Sequence, residues 1–195
     1  VDGSRAVGVK AAADLLTADA VILATGAWDD AWAAHLGAAV PVGPQRGQIL
    51  HLDLPGAGTD VSRWPVITGS GDPYLLAFPP HRIVSGATRE DGTGFDYRVT
   101  ASGLAELLTA TLTRAPGLAA ATVAETRVGF RPFAPDRLPV FGRAPGLENV
   151  WMATGLGATG LTLGPYVGAV AADMSSGEAP PLDLAPYDPA RFQPR

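Results

Sequence analysis

The sequence predicts a mixed fold, α/β at its two ends and α+β between them, and three observations carry that expectation. Two short apolar runs, Ala20 to Ala24 and Val150 to Ala153, are each followed by glycine and a helical pattern, as strands of an α/β sheet are. Between them, DPYLLAFP and HRIVSGAT read as paired antiparallel strands, with one leucine-striped helix placed to cover them. The 195 residues, 47% hydrophobic and 17% charged, suffice for one substantial core or two small ones. The chain accordingly divides at a first crossover near Val40 and at a return after LPVFG, into 1–42, 43–143 and 144–195.

Taken in order, Val7 to Val9 and Ala20 to Ala24 suggest a small meander feeding a buried strand. Ligands of open α/β sheets gather beyond the carboxyl ends of such strands, which places Thr25 and Gly26 to touch a cofactor. An ordinary strand-to-helix turn is the competing reading of the same two residues. Trp28, Trp32 and Leu36 then fall at helical spacing, between Asp29 or Asp30 and Gly37, and the tryptophans read as packing.

From Val40, PVGPQRGQILHLDLP leads into an alternating strand, with Arg46 tying the crossover down or facing a ligand. Pro55 to Pro65 is a glycine-rich loop. Tyr74 lies on a strand, half-buried in the plain reading. Thr100 caps a helix whose Leu104, Leu107, Leu108 and Leu112 share one face, and Ala115-Pro116-Gly117 stops it. In ATVAETRVGFRP a regular pleat puts Glu125, Arg127, Gly129 and Arg131 on one face, so that Arg127 can pair with Glu125.

Arg127 to Pro165 is the stretch with the strongest ligand chemistry. Arg131 precedes Pro132, which biases its backbone to extended geometry and helps fix the guanidinium, a group suited to a carboxylate. Gly155, Gly157 and Gly160 lack a Cβ and let main-chain N–H groups approach a bound group. Gly164-Pro165 is expected to open a helix, YVGAVAADM, whose N-terminus favours negative charge. GLGATG matches G-x-G-x-x-G, but a dinucleotide unit needs a second strand ending in Asp or Glu about 20 residues on, and SGEAPPLDLAP cannot supply it. The proline-rich tail SSGEAPPLDLAPYDPARF is expected to wrap the surface.

Other chemistries are disfavoured. A net charge of −5 does not suggest a nucleic-acid partner, and the absence of cysteine excludes disulfides, thiolate metal sites and iron–sulfur clusters within these residues. His35, His51 and His81 lack metal-ligand spacing, and there is no G-x-S-x-G and no P-loop. No apolar run reaches membrane-span length and no signal peptide opens the sequence, so a cytoplasmic location is expected. The opening VDGSRAVGVK lacks Met and enters a strand without a cap, which leads us to expect a fragment or one piece of a larger whole.

TGAW at Thr25 to Trp28, PQRGQ at Pro44 to Gln48, SGAT at Ser85 to Thr88, GFRP at Gly129 to Pro132, LPVFG at Leu138 to Gly142 and ATGLGATGLTLGP at Ala153 to Pro165 occur in one order. In that order they resemble the C-terminal portion of the D-amino-acid-oxidase-like family of FAD-dependent oxidoreductases, of glycine oxidase and D-amino-acid dehydrogenase type. The resemblance implies that 1–42 is the end of an FAD-binding domain, 43–143 a substrate-binding domain and 144–195 the return to the first. It implies non-covalent FAD held by Thr25, Gly26 and the turn Gly155, Leu156, Gly157, Ala158, Thr159, Gly160, Leu161 and Thr162. It further implies hydride transfer from an amine or amino-acid substrate, with Arg131 on the carboxylate and Tyr74 in the substrate pocket. Ala158 stands where glycine oxidase has a second arginine, which leaves the substrate open. A second reading is a non-catalytic substrate-binding module needing a partner chain, or the missing half, that carries the ADP site.

Overall fold

Apolar alternation and helical spacing resolve, in a computed structural model, into two groups of strands and helices. The structure describes all residues except 30, 33–36, 38, 39, 57, 58, 70, 194 and 195. In chain order the strands are β1 (Gly8–Ala11), β2 (Asp14–Thr17), β3 (Val21–Leu23), β4 (Gly43–Asp53), β5 (Ile67–Gly69), β6 (Gly71–Phe78) and β7 (Arg82–Gly86). Helix α1 (Ala101–Arg114) follows, then β8 (Thr122–Phe133), β9 (Val140–Arg143), β10 (Val150–Thr154) and helix α2 (Gly160–Ser175). One compact unit takes residues 1–44 and 131–195, the other residues 45–130. The expected mix of parallel pairing, antiparallel sheet and helices is present.

In the first unit β3 pairs in parallel with β10, and β10 pairs antiparallel with β9. Leu23, Val140, Val150 and Met152 are buried in one core with Val40, Val42 and Ala134. On α2, Val167, Val170, Ala171 and Met174 recur at helical spacing and pack with Phe141 and Ala153. Asn149 accepts from the Ala6 N–H at 2.8 Å and donates to the Ala6 and Asp19 carbonyls, both at 2.8 Å, so the N-terminal segment is tied to the start of β10. The C-terminal tail is docked: the Arg191 guanidinium donates to both carboxylate oxygens of Asp136, at 2.8 and 3.2 Å, and to the Leu138 carbonyl. That pair holds the Asp136 carboxyl below its ordinary range.

Three expectations are corrected here. Helix α2 begins at Gly160 and Pro165 lies inside it, because the apolar face from Val167 to Met174 buries well enough to outweigh poor intrinsic propensity in its first turns. Ile22 is 41% exposed, so β3 is covered less fully than its hydrophobicity implied. Trp28 is 49% exposed in a short 3₁₀ turn, Gly26–Trp28, and so does not pack in a core. Leu36 and His35 lie outside the described residues. Among the described residues no helix is long and apolar enough to cross a membrane.

The second unit is a sheet of order β5-β6-β7-β4-β8. The register Leu50↔Ser85 and Leu52↔Ile83 puts these four on the face that α1 covers, where Leu50, Leu52, Leu75 and Ile83 meet Leu107 and Leu118. Thr111 of α1 donates to Ser85 Oγ at 2.6 Å. The N-terminus of α1 is held as expected, Thr100 Oγ1 accepting from the Gly103 N–H at 3.2 Å. Arg46, 5% exposed, ties the strand down: it pairs with Glu90 and, at 2.7 Å, with Asp96. Gln48 links that pair to the helix, donating to Glu90 at 2.7 Å and accepting from the Thr100 N–H at 2.9 Å. Burial raises the Glu90 pKa, but bonds from Thr88, Arg46 and Gln48 outweigh it and leave the carboxyl below its ordinary value.

The opposite face carries His51, Asp53, Arg82, Glu125 and Arg127. His51 is buried, neither ring nitrogen has a hydrogen-bond partner among the described residues, and Nδ1 lies 3.6 Å from Glu125 Oε1. Glu125 is engaged by Arg127 at 2.7 Å, as the strand pattern anticipated, and by Arg82 at 3.2 Å. Burial first, then the Arg127 charge, lowers the His51 pKa from 6.5.

Two predictions follow from these contacts. A Cβ on Gly103 would lie 2.3 Å from Gln48 Nε2. Gly103→Ala, which in an open helix stabilises by about 1 kcal/mol, is expected here to destabilise in urea unfolding, and Gln48→Ala is expected to restore part of the loss. Because His51 has a lowered folded pKa, the unfolded chain binds the extra proton; its contribution is complete above pH 6.5 and is lost as pH falls below that value. His51→Gln should flatten that part of the stability profile, whereas the lowered carboxylates Glu125 and Asp53 act only below their ordinary values of 4.5 and 3.8.

Candidate functional site

Parallel pairing of β3 with β10 puts both carboxyl ends on one side, and the residues leaving them meet there. The register runs Val150↔Val21 to Met152↔Leu23. Beyond it, Thr25 leads into Gly26, with φ +60, and Thr154 leads into Gly155, with φ +70. Thr154 Oγ1 donates to the Gly26 carbonyl at 3.3 Å. It also bonds to Asp29, whose other carboxylate oxygen takes the Thr25 hydroxyl. Asp29 is 1% exposed. The structure thus brings Thr25 and Gly26 beside the turn that begins at Gly155.

The glycines of that turn do different things. At Gly155 an added Cβ would come 3.1 Å from the Val140 N, and at Gly157 it would strike the Phe133 ring at 2.3 Å. Both are therefore required by the chain's own packing, and Gly157 also has φ +55. At Gly26 nothing lies within 4 Å, and at Gly160 only Leu156 Cβ, at 3.9 Å. Close approach by a bound group is open at these two. Thr159 donates to the Leu156 carbonyl at 2.7 Å, and no side chain caps α2 or places an acid in its first turn. Its first N–H groups are thus left for solvent or a ligand. Leu161 is 99% exposed, and Ala158 and Thr162 are also exposed.

Arg131 is half-buried on β8, two residues before Phe133. Phe133 seats its ring at Gly157 and takes the Arg137 guanidinium over its face, 4.4 Å from the centroid. The end of Arg131's strand and the glycine turn are therefore packed together. Tyr74 belongs to the other unit, half-buried on β6, paired across to Gly86. A Cβ on Gly86 would lie 3.3 Å from its hydroxyl and 2.5 Å from Ile49 Cγ2, so glycine leaves room for the phenol.

The sequence reading gives no such role to four of these residues, Asp29, Thr154, Phe133 and Gly86. Asp29 looked like a helix start; its spacing of four from Thr25 was the available signal, and nothing local points to Thr154. Phe133 sits beside GFRP and Gly86 within SGAT, but their contacts are long-range. Among the described residues no cluster suits a metal ion.

The chain matches known proteins over most of its length. The family described as FAD dependent oxidoreductase (DAO) matches residues 1–174. The chain is 45% identical over 190 residues to the uncharacterized oxidoreductase YurR of Bacillus subtilis (strain 168), a match covering 97% of this chain and 50% of that protein. It is 33% identical over 189 residues to glycine oxidase of Pseudomonas aeruginosa, covering 97% and 50%. The crystal structure of iminodiacetate oxidase (IdaA) from Chelativorans sp. BNC1 superposes with TM-score 0.84 at 49% identity, covering 90% of this chain and 47% of that one. The chain spans about half the length of the curated relatives it matches. With its motifs in family order and the family match running through both units, the chain belongs to the DAO family of FAD-dependent oxidoreductases.

Proposed function

We propose that these residues are the C-terminal portion of an enzyme that oxidises the C–N bond of a small carboxylate-bearing amine, using non-covalently held FAD. The observation that carries this reading is the meeting of Thr25 and Gly26 with the Gly155 to Thr162 turn beyond two parallel strands. Residues 1–42 and 144–195 serve the cofactor in this reading, and 43–143 serve the substrate. When bound, the flavin supplies the hydride acceptor, and the oxidised substrate leaves as an imine for water to hydrolyse.

The chain's own groups bind and orient. The main-chain N–H groups of Gly160, Leu161 and Thr162 would stabilise negative charge on the bound flavin, aided by the α2 dipole. The open space at Gly26 and Gly160 admits the close approach this needs, while Leu156, Gly157, Ala158 and Thr159 shape the turn. Arg131 holds the substrate carboxylate through two parallel N–H···O bonds, a geometry lysine cannot reproduce. Tyr74 lines the substrate pocket. Iminodiacetate oxidase at 49% identity and glycine oxidase at 33% support an amino acid or N-substituted glycine as the substrate class. With Ala158 at the position of glycine oxidase's second arginine, either a different residue assists with the carboxylate or the substrate is not a simple amino acid.

A second reading is a non-catalytic module that binds an amino-acid-like ligand or a partner subunit carrying the ADP-binding half. It is favoured by β3, which among the described residues pairs with β10 alone and leaves Ile22 exposed at the edge of its sheet. A yellow preparation of the whole protein whose released flavin migrates as FAD supports the enzyme. A preparation that stays colourless with added FAD supports the module.

For the enzyme, Arg131→Lys is expected to lower kcat/KM for a carboxylate substrate roughly ten- to a hundredfold, from the worth of charge-assisted bonds, with flavin content unchanged. Equal loss of both would count against the anchor. Gly160→Val is expected to release the flavin by filling the open approach, and an unaltered visible spectrum would remove Gly160 from the cofactor site.

A further inference from the structure

We propose that Asp29 is a positioning residue for the cofactor turn, a role that rests on the reading above and goes beyond it. Its carboxylate is 1% exposed and each oxygen takes a hydroxyl from a different strand end, Oδ1 from Thr25 and Oδ2 from Thr154. A buried carboxylate is stable only when hydrogen-bonded in this way. The parallel register ends at Met152↔Leu23, so beyond it the two loops need another tie to fix their separation. Asp29 provides that tie at the residues immediately before Gly26 and Gly155.

The bonding also decides what the threonines can offer. The Thr25 hydroxyl proton is committed to Asp29, while that of Thr154 is shared between Asp29 and the Gly26 carbonyl, so Thr25 presents a ligand with its main chain, not with an O–H donor. The carboxylate thus sets the spacing of the main-chain groups on which flavin affinity depends, without touching the flavin. Asparagine can keep the bridge, because a threonine hydroxyl can accept from its amide while the other donates to its carbonyl. Alanine cannot.

The test uses the whole protein stripped of flavin and titrated with FAD, following fluorescence quenching, alongside the thermal midpoint of the apoprotein. Asp29→Ala is expected to weaken FAD binding by about tenfold or more and to blur the flavin's visible band shape, while Asp29→Asn stays within about threefold of wild type. Thr154→Val should fall between them and keeps the test open if Asp29→Ala does not fold. Wild-type affinity in Thr154→Val or in Asp29→Ala overturns the proposal, as does equal weakening by Asn and Ala. A lower thermal midpoint with unchanged FAD affinity assigns Asp29 to stability alone and overturns it too. Failure of the wild-type protein to bind FAD would instead remove the enzyme reading, and this proposal with it.

Discussion

Everything that can be said of the site depends on the pairing of three residues of β3 with three of β10. Val21 to Leu23 and Val150 to Met152 are separated by well over half the chain, and the second unit, residues 45–130, is inserted between them. Closing so long a loop costs entropy that grows only slowly with length, so the insertion is tolerable once the partner surfaces bury enough. They do: Leu23, Val150 and Met152 share a core with Val40, Val42, Val140 and Ala134. Parallel pairing then fixes the direction of both exits. Two loops far apart in sequence leave on one side, and Thr154 comes to bond with Gly26 and Asp29 there.

The inserted unit is held by a different device. Its core side is apolar and unexceptional, but its entry from the first unit passes through Arg46 and Gln48, both buried. Charged and amide groups there carry a desolvation penalty, and they persist because Glu90, Asp96, Thr88 and Thr100 satisfy them. The network joins β4, the loop after β7 and the first turn of α1, so the helix that covers the sheet and the strand that leads into it are set together. The PQRGQ motif is thus largely a structural one.

What the sequence could reveal was limited to patterns whose cause lies close along the chain. The leucine stripe of α1, its Thr100 cap, the Glu125–Arg127 pair and the antiparallel strands around SGAT all have local causes, and all are found. The start of α2 was misplaced because a Gly-Pro pair is a good local boundary signal, yet the apolar stripe farther on decides the matter. Trp28, placed in a core by its spacing, is instead exposed. Asp29 could be seen only as a cap, since its second partner, Thr154, is brought to it by the fold. His51 gave no sign of its unpartnered ring for the same reason.

The glycine-dense turn illustrates how one string can meet two demands. GLGATG looks uniform, but at Gly155 and Gly157 the missing Cβ is required by Val140 and Phe133, while at Gly160 the space is free. The first two glycines hold the turn against the end of Arg131's own strand. Only after they have done so does the third stand open at an uncapped helix end. A side chain at Gly157 would therefore disturb Phe133, whereas one at Gly160 would enter open space. Glycine frequency alone cannot separate these roles; the contacts of each position do, and they leave only the last glycine of the motif free of a packing demand.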